Sequence, residues 1–194
     1  MSFVDEFKKL SRSELQISLY STTKQDVEQA LQNPEGNLSS LLALLSPAAE
    51  PYLEQMAQRS VALTRQRFGA SLGMYIPLYL SNLCANECDY CGFTMSNKLK
   101  RKTLSEKELL KELSLVKKMG YDSILLVSGE HETKVGMDYF KQMLPLVKQQ
   151  FSHVAIEVQP LEQTDYQSLI EDGLDAVMLY QETYNPVTIP GSSS

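Results

Sequence analysis

The sequence predicts an α/β protein: about four β/α units of a partial TIM-type (β/α) barrel, preceded by an N-terminal helical segment. Three observations carry this reading. After residue 74, short continuous apolar runs alternate with amphipathic stretches, the pattern of a parallel sheet covered by helices. Before residue 72 there is no strand-like alternation, only helix-forming runs. Finally, the β/α rhythm stops after four units in a chain of 194 residues, whereas a closed eight-unit barrel takes about 250.

The N-terminal segment starts with "DVEQALQ" and "LSSLLALL", separated at Asn33-Pro34-Glu35-Gly36-Asn37. Ser39 or Ser40 is the expected cap of the second of these helices, with Pro47 shortly after its end. "AAEPYLEQMAQRSVALTRQRFG" reads as one longer amphipathic helix. Leu53, Met56, Ala57, Val61, Leu63 and Phe68 form its buried stripe, and Gly69 stops it.

"MYIPLYLSN" is the first strand. In "LSEKELLKELSLVKKMG", Ser105 and Glu108 form a capping box, Leu109, Leu113 and Val116 make the apolar stripe, and Gly120 ends the helix. "SILLVS" is a buried strand. "GMDYFKQMLPLVKQQ" is a helix expected to bend or break at Pro145. "VAIEVQ" is the third strand. "TDYQSLIEDG" brings a second expected capping box, Thr164 to Gln167, and a terminal Gly173; "DAVMLY" is the fourth strand. The expected organisation is a helical cap over 1–72, a partial barrel over 73–185 and a disordered tail over 186–194.

A net charge of −6 and a pI near 5.0 argue against a general nucleic-acid or anionic-membrane binder. No apolar run approaches the roughly 20 residues that span a bilayer. "MSFVDEFKKLSRSE" lacks the basic start and apolar middle of a signal peptide. The expected compartment is the cytoplasm, where thiols stay reduced.

All three cysteines, Cys84, Cys88 and Cys91, lie in "LCANECDYCGF". Strand, C-x₃-C-x₂-C loop and helix, in that order, place the thiols at the C-terminal edge of the sheet, where α/β folds collect their ligands. A structural zinc site closes with four ligands, and only His131 or His153 could complete a Cys₃His set. A [4Fe–4S] cubane also takes four cysteines; given three, it leaves one iron open. Three unrelated buried cysteines are the bland alternative. "KLKRK", residues 98 to 102, is the only basic run and reads as a solvated approach to the next helix; His131 reads as an ordinary hydrogen-bonding residue.

C-x₃-C-x-aromatic-C, here Cys84, Cys88, Tyr90 and Cys91, resembles the signature of radical S-adenosylmethionine (SAM) enzymes. The resemblance implies that the open iron chelates the amino and carboxylate groups of SAM. Reductive cleavage then yields methionine and a 5′-deoxyadenosyl radical. "PLYLSNLCANECDYCGFTMSNKLKRKTL", "LLVSGEH", "KVGMDYF", "EVQPL" and "YQETYN" are similar to the tyrosine lyases of thiamine biosynthesis, the 2-iminoacetate synthases, over about residues 27 to 185. That implies cleavage of L-tyrosine to p-cresol and 2-iminoacetate. It also implies a reductant such as flavodoxin or ferredoxin and a thiazole synthase as partner; that no nucleic acid or membrane is bound is expected from charge and hydropathy instead.

The same resemblance implies the site. Cys84, Cys88 and Cys91 hold the cluster, and Ser128-Gly129-Glu130 receives the SAM ammonium, with serine where the family has glycine. Tyr90 packs near adenine. Glu157, Gln159, Gln181 and Thr183 contact the cofactor, and Glu182 and Tyr184 serve catalysis. A catalytically inactive cluster-binding fragment and a zinc-binding α/β protein are the alternatives.

Overall fold

The computed structural model describes residues 3–33 and 36–180. The tail over 186–194 and the four polar residues from Gln181 to Tyr184 lie outside the described residues. The chain divides into two compact units, Met1–Leu72 and Gly73–Ser194.

The first unit is helical: α1 (Phe3–Phe7), α2 (Arg12–Ser21), α3 (Lys24–Gln32), α4 (Leu38–Leu45), a 3₁₀ segment (Pro47–Tyr52) and α5 (Leu53–Phe68). The cap of α4 is Asn37 rather than Ser39 or Ser40; its side-chain oxygen accepts the Ser40 N–H at 2.7 Å. Asparagine holds the extended backbone that a cap requires one residue before the first helical turn. The long helix expected from residue 48 begins only at Leu53, because Pro47 and Pro51 confine the preceding stretch to 3₁₀ geometry. Gly69 ends it as expected, at φ +67°.

The stripe predicted to be core is not. Leu53, Val61, Leu63 and Phe68 are exposed, and α5 buries no residue. What this unit buries is small: Val27 and Ala30 on α3, Ala43 on α4 and Ala49 in the 3₁₀ segment. Arg59 of α5 donates to the carbonyls of Ala30, Leu31 and Asn33, satisfying the open C-terminal end of α3.

The second unit is a four-stranded parallel sheet in the order β1 (Ile76–Ser81), β2 (Ser123–Ser128), β3 (His153–Glu157), β4 (Ala176–Val177). The helices α6 (Glu106–Lys118), α7 (Met137–Lys148) and α8 (Gln163–Glu171) connect the strands. Ile124 and Leu126 of β2 and Val154 and Ile156 of β3 pack with Leu109, Leu113 and Val116 of α6 in one core. Phe140, Met143, Leu144 and Val147 of α7 and Leu169 of α8 complete it. Pro77 interrupts no ladder, because β1 is an edge strand and can spare one N–H.

The Ser105–Glu108 capping box on α6 is present in both directions, and Gly120 turns the chain at φ +90°. Two local expectations are corrected. Helix α7 runs through Pro145 to Lys148, so the expected interruption is absent; burial of Met143, Leu144 and Val147 around it holds the last turn in place despite the forfeited bond. Helix α8 starts at Gln163 with Glu162 as its cap and no side-chain cap bond, so the Thr164 box is absent. Among the described residues the fourth strand pairs with β3 over Ala176 and Val177. No helix among the described residues is long and apolar enough to cross a membrane.

Candidate functional site at the C-terminal edge of the sheet

Tyr79, Val127 and Glu157 are register partners across β1, β2 and β3. They line a pocket of roughly 420 Å³ together with Cys84, Cys88, Tyr90, Cys91, Ser128, Gly129 and Glu130. Eight of the residues singled out in the sequence thus meet at one place. Of the others, Gln159 is buried, His131 pairs at 3.3 Å with Thr133, and neither lines the pocket. Gln181, Glu182, Thr183 and Tyr184 fall outside the described residues.

Strand β1 ends in a register shift between Tyr79 and Ser81. Such irregularities bend a strand and re-aim the chain beyond it. Ser81 is the hub of the bend. Its carbonyl accepts the Gly129 N–H at 3.1 Å, and its hydroxyl accepts the Leu83 N–H at 3.1 Å while bonding Thr103 Oγ1 at 2.8 Å.

From there residues 82 to 102 form a loop without helix or ladder, so its backbone groups need other partners. Thr94 Oγ1 takes the Cys88 N–H at 3.0 Å, Asn86 O takes the Met95 N–H at 2.9 Å, and Cys88 O takes the Cys91 N–H at 3.3 Å. The three thiols are free and half-buried.

The turn after β2 is stitched to this loop. The Glu130 carbonyl accepts the Ala85 N–H at 2.8 Å, and one Glu130 carboxylate oxygen accepts the Asn86 amide at 2.6 Å. Gly129 is a glycine for lack of space. A Cβ there would lie 2.5 Å from the Leu83 carbonyl oxygen and 3.0 Å from Cys84 Cβ.

Burial pushes the Cys88 thiol above its ordinary range, and the neighbouring Cys91, Cys84 and Glu130 add to the effect, opposed by a hydrogen bond from Tyr90. Like-charged groups close together resist joint ionisation. A cation among them would relieve that repulsion, since a coordinated thiol is deprotonated outright.

The donor set suits an iron–sulfur cluster. Three thiols stand on one short loop and line one pocket. A cluster takes each thiolate at a different iron. Beside them Ser128 Oγ is buried without a partner at the pocket wall; Gln159 Oε1, two residues after the pocket-lining Glu157, is likewise buried without one. Buried polar atoms of this kind call for a bound group or water.

Residues 78–189 match the model of the radical SAM superfamily. The chain belongs to the radical SAM superfamily. This family works with a [4Fe–4S] cluster and SAM. The sequence is 51% identical over 187 residues to the 2-iminoacetate synthase of Escherichia coli (strain K12), covering 96% of this chain and 50% of that protein. The chain spans about half the length of the relatives it matches. Among solved structures it resembles HydG, a maturase of the [FeFe]-hydrogenase, at a TM-score of 0.80 and 24% identity, over 90% of this chain and 42% of that one. It also resembles methylornithine synthase (PylB), at 0.65 and 20%, over 90% and 49%. These two likenesses bear on fold, and both support a partial radical SAM barrel.

Asn86, Thr94 and Arg101 escaped the sequence reading. The Arg101 guanidinium reaches four loop carbonyls, those of Asn82, Phe93, Thr94 and Asn97, at 2.7 to 3.2 Å. One signal was available. An arginine within a lysine-rich run, closing a long irregular loop, is the residue able to satisfy many carbonyls at once.

Proposed function

We propose that this chain holds a [4Fe–4S] cluster on Cys84, Cys88 and Cys91 and binds SAM in the adjoining pocket. Its reaction is that of a radical SAM carbon–carbon lyase, cleaving L-tyrosine to p-cresol and 2-iminoacetate for the thiazole of thiamine. Flavodoxin or ferredoxin is the expected reductant, thiazole synthase the expected recipient and the cytoplasm the expected compartment.

The observation that carries the proposal is the meeting of three thiols with the Ser128-Gly129-Glu130 turn on one pocket. The choice of substrate rests on 51% identity to a protein named 2-iminoacetate synthase. When bound, the cluster and SAM supply a 5′-deoxyadenosyl radical able to take a hydrogen atom from the substrate.

The remaining work falls to the chain. Gly129 lets the turn approach the cysteine loop within contact distance of Leu83 and Cys84. Glu130 spends one carboxylate oxygen on Asn86; a carboxylate has further acceptor sites, which suit the SAM ammonium. Ser128 brings an unspent hydroxyl in place of the family's glycine. Tyr90 and Glu157 flank the same space and are assigned to the cofactor; Gln159, Gln181 and Thr183 are assigned to it by resemblance alone. Catalysis is assigned to Glu182 and Tyr184.

A second reading is favoured by the exposure of Tyr79, Tyr90 and Tyr180 around the pocket: a chain that keeps its cluster but does not turn over tyrosine. Water reaching the reactive centre diverts it to side reactions. The test is anaerobic incubation of the reconstituted chain with SAM, reductant and tyrosine. Equal yields of p-cresol and 5′-deoxyadenosine support the lyase. 5′-Deoxyadenosine without p-cresol supports the second reading, and the absence of both products rejects the lyase.

A further inference from the structure

We infer that Arg101 is the positioning residue of the cysteine loop, a clasp that pins both of its arms and fixes a cation on the loop that carries the thiols. The inference rests on the reading that this loop receives the cluster.

The geometry is specific. One guanidinium nitrogen donates to the Asn82 carbonyl at 2.7 Å and the Phe93 carbonyl at 2.8 Å. The other donates to the Thr94 carbonyl at 2.7 Å and the Asn97 carbonyl at 3.2 Å. Asn82 precedes the first cysteine, and Phe93, Thr94 and Asn97 follow the last, so one side chain draws together the two ends of the segment that holds all three thiols.

Arg101 is itself held in place. Asn82 donates through its side-chain amide to Lys100 O at 3.0 Å and accepts the Lys102 N–H at 2.7 Å, while its own N–H reaches Lys102 O at 3.2 Å. The backbone on either side of Arg101 is therefore tied to the arm that its guanidinium grips.

The clasp is also what places Thr94. Once its carbonyl is gripped, the Thr94 hydroxyl stands ready for the Cys88 N–H at 3.0 Å. A loop without regular structure pays conformational entropy to order its ligands; with the arms pinned beforehand, less is left to lose when the cluster binds. Lysine cannot replace this. Its ammonium is a point charge with three donors, whereas the planar fork meets four carbonyls in two directions.

The charge has a separate effect. A fixed cation on the loop that holds a cluster favours the more negative, reduced form, so its removal is expected to lower the midpoint potential. The variants Arg101→Lys and Arg101→Met separate the two roles, because lysine keeps the charge and loses the fork.

Hydrogen exchange on the cluster-free 194-residue chain is expected to show amides of residues 84 to 97 at least tenfold faster in both variants, with β2 and α6 amides unchanged. After anaerobic reconstitution, both variants should lose iron to a chelator at least tenfold faster than wild type, and only Arg101→Met should lower the midpoint potential. Lys100→Gln, whose side chain lies outside the clasp, is the control for the fork and should match wild type in loop exchange and in iron loss. Loop exchange within twofold of wild type in Arg101→Met overturns the inference, as does tenfold-faster exchange that spreads to β2 and α6. Failure of the wild-type chain to take up iron and sulfide would instead reject the functional reading, and the exchange experiment would still decide the clasp.

Discussion

Replacing Gly129 with alanine probes the tightest contact between the turn after β2 and the cysteine loop. The new Cβ would stand 2.5 Å from the Leu83 carbonyl oxygen, where ordinary contact begins at 3.4 Å. The gap must therefore open by 0.9 Å (3.4 − 2.5). Leu83 O is backbone, so no side-chain tip can swing away, and Cys84 Cβ at 3.0 Å must move with it. Overpacking of this kind costs about 2 kcal/mol. With a slope of about 2 kcal/mol per molar urea, the denaturation midpoint falls by about 1 M. A displacement near 1 Å at a reacting centre costs about 100-fold in rate, so SAM cleavage should suffer far more than stability. The control is Gly92→Ala, because nothing lies within 4 Å of a Cβ at Gly92; its midpoint should stay within about 0.3 M of wild type, the size of an ordinary surface change. A Gly129→Ala chain with wild-type midpoint and wild-type SAM cleavage would refute the close-approach reasoning.

Cys88→Ala should leave the sheet intact by circular dichroism and abolish retention of a full cluster, read as iron per chain after desalting. Leu109→Ala empties a fully buried position beneath the sheet and should cost about 3 kcal/mol in urea unfolding. Ser105→Ala removes the cap of α6, with an expected loss of about 1 kcal/mol. Glu108 is held at a pKa of about 2, below its usual 4.5, chiefly by Lys102 and then by Ser105. A carboxylate depressed on folding stabilises the native state above its unfolded value and loses that contribution as protons bind. The urea midpoint should therefore fall between about pH 4.5 and 2, and less steeply in Glu108→Gln. The Glu108 contribution should also weaken with salt, because the Lys102–Glu108 pair is exposed. A midpoint flat across that window would contradict the assignment.

Elements whose period and punctuation agree were legible in the sequence. "SILLVS" is β2 from end to end, and the Ser105–Glu108 box opens α6 where expected. The cysteine spacing after β1 also located the pocket, because a parallel sheet brings its strand ends to one edge and adds Ser128, Gly129, Glu130 and Glu157 to the thiols. What stayed hidden depends on choices between near-equivalent groups. Asn37, Ser39 and Ser40 can all cap a helix, and the backbone conformation at residue 37 decides among them. Pro145 forfeits one helix bond, and only the folded core shows that Met143, Leu144 and Val147 are buried around it and keep the helix going. The α5 stripe has helical spacing without burial, because periodicity describes a face and not what covers it. Arg101 was hidden for a related reason. A basic run reads as solvated charge, and only the folded loop reveals four carbonyls within reach of one guanidinium.

The most direct measurement is iron and sulfide content after reconstitution under strict exclusion of oxygen, with EPR of the reduced protein before and after SAM. About four irons and four sulfides per chain are expected, with a signal that shifts when SAM is added and disappears in Cys88→Ala. A colourless chain that binds stoichiometric zinc and no sulfide, or a full cluster surviving in Cys88→Ala, would contradict the three-thiol site.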